Sequence, residues 1–180
     1  MYKISKSFDF CYGHRVYSQN VNTKYSIDDE NPCRRIHGHQ GNVTVELRAL
    51  SLDHRGFVID FKELTFLKKF INDNLDHRFI LSFEDPNFSH LAVGHSPEDV
   101  KEIAYPIEVL DGVIAGYRAP EIENDSFVFV DFNPTSENLA EWIYSTVECV
   151  LNKSPFKCRM ESVIWSETPK TQAIFTGYID

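Results

Sequence analysis

The sequence predicts an α+β domain. Three observations carry this: alternating apolar stretches near both ends, two amphipathic stripes with helix-start signals between them, and a length of 180 residues that suits a single core. In chain order they give strand, strand, helix, a long middle segment, helix, strand, strand.

Residues 2–12 alternate, with Phe8, Phe10 and Tyr12 on one face, and form the first predicted strand. Residues 17–32 are polar, end near Pro32 and read as a loop. "NVTVELRAL", 42–50, is β-branched and alternating, the second strand. "LDHRG" predicts a turn, after which "FVI", 57–59, returns as strand. Asp60 stands as a helix N-cap with Glu63 three residues on. Leu64, Leu67, Ile71 and Leu75 follow at helical spacing, so a helix is expected over about 61–74.

Pro134 and Thr135 are start signals for a second helix over about 136–151, whose apolar stripe is Leu139, Ile143, Val147 and Val150. "CRMESVIWSE" and "QAIFTGYI" are two strands joined by "TPKT", a hairpin. The middle, about 81–131, holds Pro86, Pro97, Pro106 and Pro120 and two short strands near 105–114 and 126–132. It is too long for a bare loop, so it needs structure of its own.

Hydrophobic content of 42% and charged content of 25% are those of a soluble globular protein. The net charge of −9 argues against nucleic acid or an anionic membrane as a main partner. No stretch suits a bilayer span, and "MYKISKSFDF" alternates rather than forming a signal peptide. A cytoplasmic protein with reduced thiols is expected, and Cys11, Cys33, Cys149 and Cys158 show no C-x-x-C spacing.

"NPCRRIHGHQGN", 31–42, carries the chemistry. His37 and His39 are two apart at the start of a strand, so their side chains point the same way. His14 is in phase with Phe8, Phe10 and Tyr12 and can project from one face of the first strand. Three imidazoles and one open position is a catalytic zinc pattern; a surface accident is the other reading of a His-x-His pair. Cys33, between Pro32 and the Arg34–Arg35 pair, is either a fourth ligand, a free base with a lowered pKa, or a plain loop residue. Asp76 and His77 close the first helix, as a dipole cap or as a carboxylate–imidazole pair that tunes a third group. Glu167 ends an apolar strand at a turn, solvated or turned into a pocket where it can accept from an amidine-like edge.

"FDFCYGHRV", "CRRIHGH", "GFVIDFKEL", "LDHRFI", "NPTSENLAEWI" and "SET" occur in that order. With these motifs the chain resembles the 6-pyruvoyl-tetrahydropterin synthase family, above all its bacterial 6-carboxy-5,6,7,8-tetrahydropterin synthase branch, over about 1–80 and 131–180. The resemblance implies a tunnelling fold, a four-stranded antiparallel sheet with two helices on one face, with 81–131 as an insertion in a single domain. It implies a homo-oligomer, trimer-based and doubled to a hexamer, with active sites between subunits.

It further implies zinc on His14, His37 and His39, Cys33 as general base, and Asp76 and His77 as its partners. Glu167 would anchor the pterin and join the proton relay, and Thr135, Ser136 and Glu137 would line the pterin pocket. The implied substrate is 7,8-dihydroneopterin triphosphate. The implied product is 6-carboxytetrahydropterin, with loss of triphosphate and acetaldehyde, on the way to queuosine-type 7-deazapurines. Only three residues separate Cys33 from His37, which is similar to the bacterial branch. The alternatives are 6-pyruvoyl-tetrahydropterin formation and a non-catalytic pterin- or purine-binding protein on the same fold. Arg15, Arg34 and Arg35 are expected near the triphosphate from charge and sequence proximity alone, and the acidic segment 81–131 is expected at the rim of the site.

Overall fold

In the computed structural model, which describes residues 1–178, one eight-stranded mixed sheet carries four helices. Strand β1 (Tyr2–His14) pairs antiparallel with β2 (His37–Ala49), and β2 with β7 (Arg159–Thr168). Strand β8 (Thr171–Phe175) closes a tight hairpin on β7. This half of the sheet is built from the four strands expected at the chain ends. The expected final strand reaches Ile179, which lies outside the described residues.

The four-strand expectation is too small. Beyond β1 the sheet continues through β3 (Arg78–Ser82), β6 (Phe127–Val130), β5 (Val113–Arg118) and β4 (Tyr105–Leu110). β3 runs parallel to β1 and to β6, which makes the sheet mixed. The stretch expected as one strand near 105–114 is two, because Asp111 and Gly112 both take positive φ and turn the chain back. An Asp-Gly pair between apolar residues is a hairpin signal.

The return strand at 57–59 does not form. The turn itself does: Gly56 N donates to Asp53 O at 3.0 Å and Asp53 N to Phe57 O at 2.8 Å. Both edges of β2 are already occupied by β1 and β7, so the returning chain finds no edge to pair with. Ile59 is buried and Val58 packs on the core instead.

Asp60 caps as expected, its side chain accepting from Lys62 N at 2.9 Å. The turn it starts is a 3-10 turn, Phe61–Leu64, that runs into helix α1, Thr65–Asn74. Helix α4, Ser136–Lys153, is capped by Thr135, whose hydroxyl accepts from Asn138 N. Helices α1 and α4 bury Leu67, Phe70, Ile71, Leu139, Ile143 and Val147 against Phe8, Phe10, Val43, Val45 and Val163 on one face of the sheet.

A second core lies on the opposite face of β3 and β6. Leu81 and Phe129 join Phe88 of α2 (Phe88–Leu91), Val100 of α3 (Pro97–Ile103) and Ile122 there. Strands covered on both faces read as continuous apolar runs, as "RFILS" and "FVFV" do. On β1 and β2 the corresponding face is polar. Ser7 and Thr44 share a hydrogen bond of 2.7 Å, and Asn42 donates to Asp9 at 2.8 Å. Among the described residues no helix is long and apolar enough to cross a membrane.

Candidate active site

The antiparallel register sets the site. It places His14 directly opposite His37, and His39 opposite Tyr12. All three histidines therefore project from one face, and their ligand nitrogens lie within 4.8 Å of one another. The ring centroids of His14 and His37 are 4.6 Å apart, and those of His37 and His39 are 4.9 Å apart.

Tyr12 forms the floor beneath them, with its ring 5.2 Å from that of His14 and 5.7 Å from that of His39. Trp165 donates its indole N–H to the Tyr12 hydroxyl at 2.9 Å, and burial holds that phenol well above its ordinary pKa. Gly41 makes room for the floor, since a Cβ there would meet the Tyr12 ring at 2.7 Å.

Two of the rings are oriented by backbone carbonyls. His14 Nδ1 lies 2.7 Å from the Pro134 carbonyl and His37 Nδ1 lies 2.8 Å from the Arg35 carbonyl. A carbonyl only accepts, so the neutral form of either ring carries its proton on Nδ1 and leaves Nε2 free. Burial pushes the His14 pKa down to about 4 and lowers that of His39, so both are neutral near pH 7. Among the described residues, Nε2 of His14 and of His39 are buried without a hydrogen-bond partner. Buried polar atoms normally find partners, and two convergent bare imidazole nitrogens fit a metal ion with soft-to-borderline preference.

Glu167 belongs to this cluster. It is in phase with buried Trp165 on β7, which turns it to the histidine face rather than into the solvated turn. Its carboxylate oxygens lie 3.5 Å from His14 Nε2 and 4.0 Å from His39 Nε2. Because burial keeps His14 neutral, this is proximity rather than an ion pair. A cleft of about 580 Å³ opens beside it, lined in part by His39, Gln40, Asn42, Glu167 and Thr168.

Cys33 sits half-buried in a 3-10 turn, Pro32–Arg34. Its amide donates to the Gln19 side chain at 2.8 Å and its carbonyl accepts from Val16 N at 2.7 Å. These bonds tie it beside the end of β1, two residues past His14. Asp76 and His77 are elsewhere in this chain. Their ligand atoms cluster with Cys11, not Cys33, and Cys11 lies on the face of β1 opposite His14. Asp76 accepts from Cys11 N at 2.8 Å, and His77 Nδ1 lies 3.1 Å from the Asp76 carboxylate. The Cys11 amide, with His77 beside it, holds the Asp76 carboxyl below its ordinary range.

Thr135 spends its hydroxyl on the helix cap. Ser136 is half-buried and Glu137 exposed, and it is the carbonyl of Pro134, not these side chains, that touches the cluster. Of the three arginines, Arg15 faces Asp85 at 3.0 Å in a largely buried pair, and Arg35 faces Glu30 at 3.0 Å. Arg34 is exposed and forms no ion pair among the described residues. The residues missed from sequence are Tyr12, Trp165 and Asp85. The first two were in phase with His14 and Glu167; Asp85 carried no signal.

Fold and site define an α+β protein with a cluster of three histidines on a strand pair, placed so that it could hold a metal ion. A family model described as 6-pyruvoyl tetrahydropterin synthase matches residues 3–178, and the chain belongs to that family. It is 27% identical over 179 residues to a 6-carboxy-5,6,7,8-tetrahydropterin synthase of Aquifex aeolicus, with 96% of each chain covered. Among solved structures, an uncharacterised protein from Wolinella succinogenes superposes with a TM-score of 0.83 at 38% identity, covering 98% of both chains. The 6-pyruvoyl tetrahydropterin synthase of Caenorhabditis elegans superposes at 0.57 with 20% identity, over 98% of this chain and 96% of its own, which supports the fold alone.

Proposed function

We propose that this protein is a zinc-dependent lyase that converts 7,8-dihydroneopterin triphosphate to 6-carboxy-5,6,7,8-tetrahydropterin, releasing triphosphate and acetaldehyde. The observation that carries this is the pair of buried, unpartnered Nε2 atoms of His14 and His39 beside the Glu167 carboxylate. The name of the Aquifex aeolicus relative and the three-residue gap between Cys33 and His37 favour the carboxy product over the pyruvoyl one.

In this reading His14, His37 and His39 hold zinc, which supplies a Lewis acid to the oxygens of the substrate side chain. Glu167 accepts the N–H edge of the pterin ring and sets its depth in the cleft. Thr135, Ser136 and Glu137 border the ring. Cys33 takes a carbon-bound proton, and its short tether to the end of β1 keeps the thiolate near that carbon. The Asp76–His77 pair serves the Cys33 of a neighbouring subunit in a trimer-based homo-oligomer. This reading explains why the pair shares a face with Cys11 and stands apart from the histidines within one chain.

The test is incubation of zinc-loaded protein with dihydroneopterin triphosphate and identification of the products by mass. A 6-carboxy product with acetaldehyde is expected. A 6-pyruvoyl product would shift the reading within the family, and recovery of unchanged substrate would leave a binding protein.

A further inference from the structure

The corner that carries Asp76 and His77 is held from an unexpected direction. His77 itself takes a positive φ of 60°, a conformation that is costly for a residue with a Cβ and needs outside support. That support comes from the middle segment. Arg118, on β5, is nearly buried at 7% exposure. Its Nε donates to Asp125 Oδ1 at 2.7 Å, and its Nη2 also contacts the same carboxylate. The remaining nitrogen, Nη1, reaches back to the corner, donating to the Asp73 carbonyl at 2.8 Å and to Asn74 Oδ1 at 2.9 Å.

Arg78 stands immediately after His77 and completes the frame. Its Nε donates to the Asp125 carbonyl at 3.1 Å and its Nη2 approaches the Asp125 carboxylate at 3.4 Å. Its Nη1 makes a long bond of 3.4 Å to the Asp76 carbonyl. The next backbone link, Phe79 N to Ser126 O at 2.9 Å, anchors the chain to the same turn. Asp125 thus binds two guanidinium groups that together grip residues 73–78 on both sides of the Asp76–His77 pair.

The turn that presents Asp125 is strained in its own right. Glu123, Asn124 and Asp125 all take positive φ, at 46°, 53° and 64°. Three successive residues in that region persist only where surrounding contacts over-determine them, and such strain gathers near working sites. A half-buried carboxylate shared by two arginines is demanding to build and gives orientation more reliably than stability.

We propose that Asp125 is a positioning residue for Asp76 and His77, acting through Arg118 and Arg78. It rests on the catalytic reading of that pair and extends it: the segment expected only at the rim contributes to the geometry of the chemistry. It touches no substrate atom, and its effect is on the direction in which His77 presents its ring.

The experiment compares His77→Ala, Asp125→Ala and Arg78→Lys in zinc-loaded protein, reading kcat, KM, zinc content and the His77 imidazole resonances. Small misplacements of a catalytic group cost about 10²-fold in rate, so Asp125→Ala and Arg78→Lys are expected to lose about that in kcat. KM and zinc content should hold, and the His77 resonances should move. Arg78→Lys keeps the Arg118–Asp125 pair, so it decides the matter if Asp125→Ala fails to fold. Wild-type kcat with unmoved His77 resonances in the folded variants would overturn the proposal. Should His77→Ala itself turn over normally, the catalytic reading fails separately. The resonances then still decide whether Asp125 orients the ring.

Discussion

Three side chains have distinct jobs in the proposed chemistry, and each can be removed singly. His37→Ala leaves two imidazoles, too few to retain a tight site at neutral pH, so metal content should fall from about one zinc per chain to near zero. Metal analysis after gel filtration checks this, and full occupancy would refute the ligand set. Cys33→Ala should keep zinc and fold while turnover drops by about 10²–10⁴, the usual contribution of a general base. Loss of zinc in that variant would instead make Cys33 a fourth ligand. Glu167→Gln puts a donor where an acceptor is needed and leaves an unpaired group against the ring. Weaker pterin binding with unchanged zinc is expected by calorimetry, whereas unaltered affinity would remove Glu167 from the pocket.

At the scale of elements, α4 and the histidine cluster are linked through one turn. Thr135 caps α4 with its hydroxyl, and the preceding carbonyl, of Pro134, fixes the His14 tautomer. Thr135→Ala should cost about 1 kcal/mol of stability as a lost cap. Urea unfolding measures that cost, and a second effect on zinc affinity would show that the cap also sets the Pro134 carbonyl. The β1–α1 corner has its own pH signature. The Asp76 carboxyl is lowered in the folded state, chiefly by the Cys11 amide, so its contribution is present above the ordinary carboxyl range and is lost as pH falls through the folded value. Asp76→Asn, which keeps an acceptor but no charge, should therefore flatten the acid limb of the stability curve. An identical acid limb in both proteins would mean the carboxylate contributes nothing there.

For the whole molecule, the sheet ends matter. Among the described residues β3 pairs with β1 only at Tyr12 and Gly13, and the Asp76–His77 corner occupies the amide and carbonyl of Cys11, so the outer edge of residues 2–10 is open, and β8 is an edge strand. Open edges invite pairing with another copy. If such pairing brings the Asp76–His77 pair of one subunit to the Cys33 of another, two dead variants can rescue each other. Cys33→Ala and His77→Ala, unfolded together and refolded as a mixture, should regain turnover that neither shows alone. Persistent inactivity of the mixture, with both variants assembled normally, would confine the site to one chain.

The sequence by itself determined most of the local elements and the face that the three histidines share. Alternation through Phe8, Phe10, Tyr12 and His14 is a property of the strand, and His-x-His fixes a shared face whatever the rest of the fold does. Capping by Asp60 and Thr135 was legible for the same reason, since a cap depends on residues a few positions away. What only the tertiary structure decided was pairing. No local pattern states that β2 has both edges filled, so the strand expected at 57–59 could not be ruled out. Nor does one show that "RFILS" lies parallel to β1 with an apolar layer on each face. The site divides along the same line. The closeness of His14, His37 and His39 followed from type and spacing, whereas the Pro134 carbonyl, the partnership of Arg15 with Asp85 and the grip of Asp125 on the Asp76–His77 corner join residues from 47 to 120 positions apart. Hydrogen bonds and ion pairs act over a few ångströms of space, and only the folded chain brings such distant residues within that range.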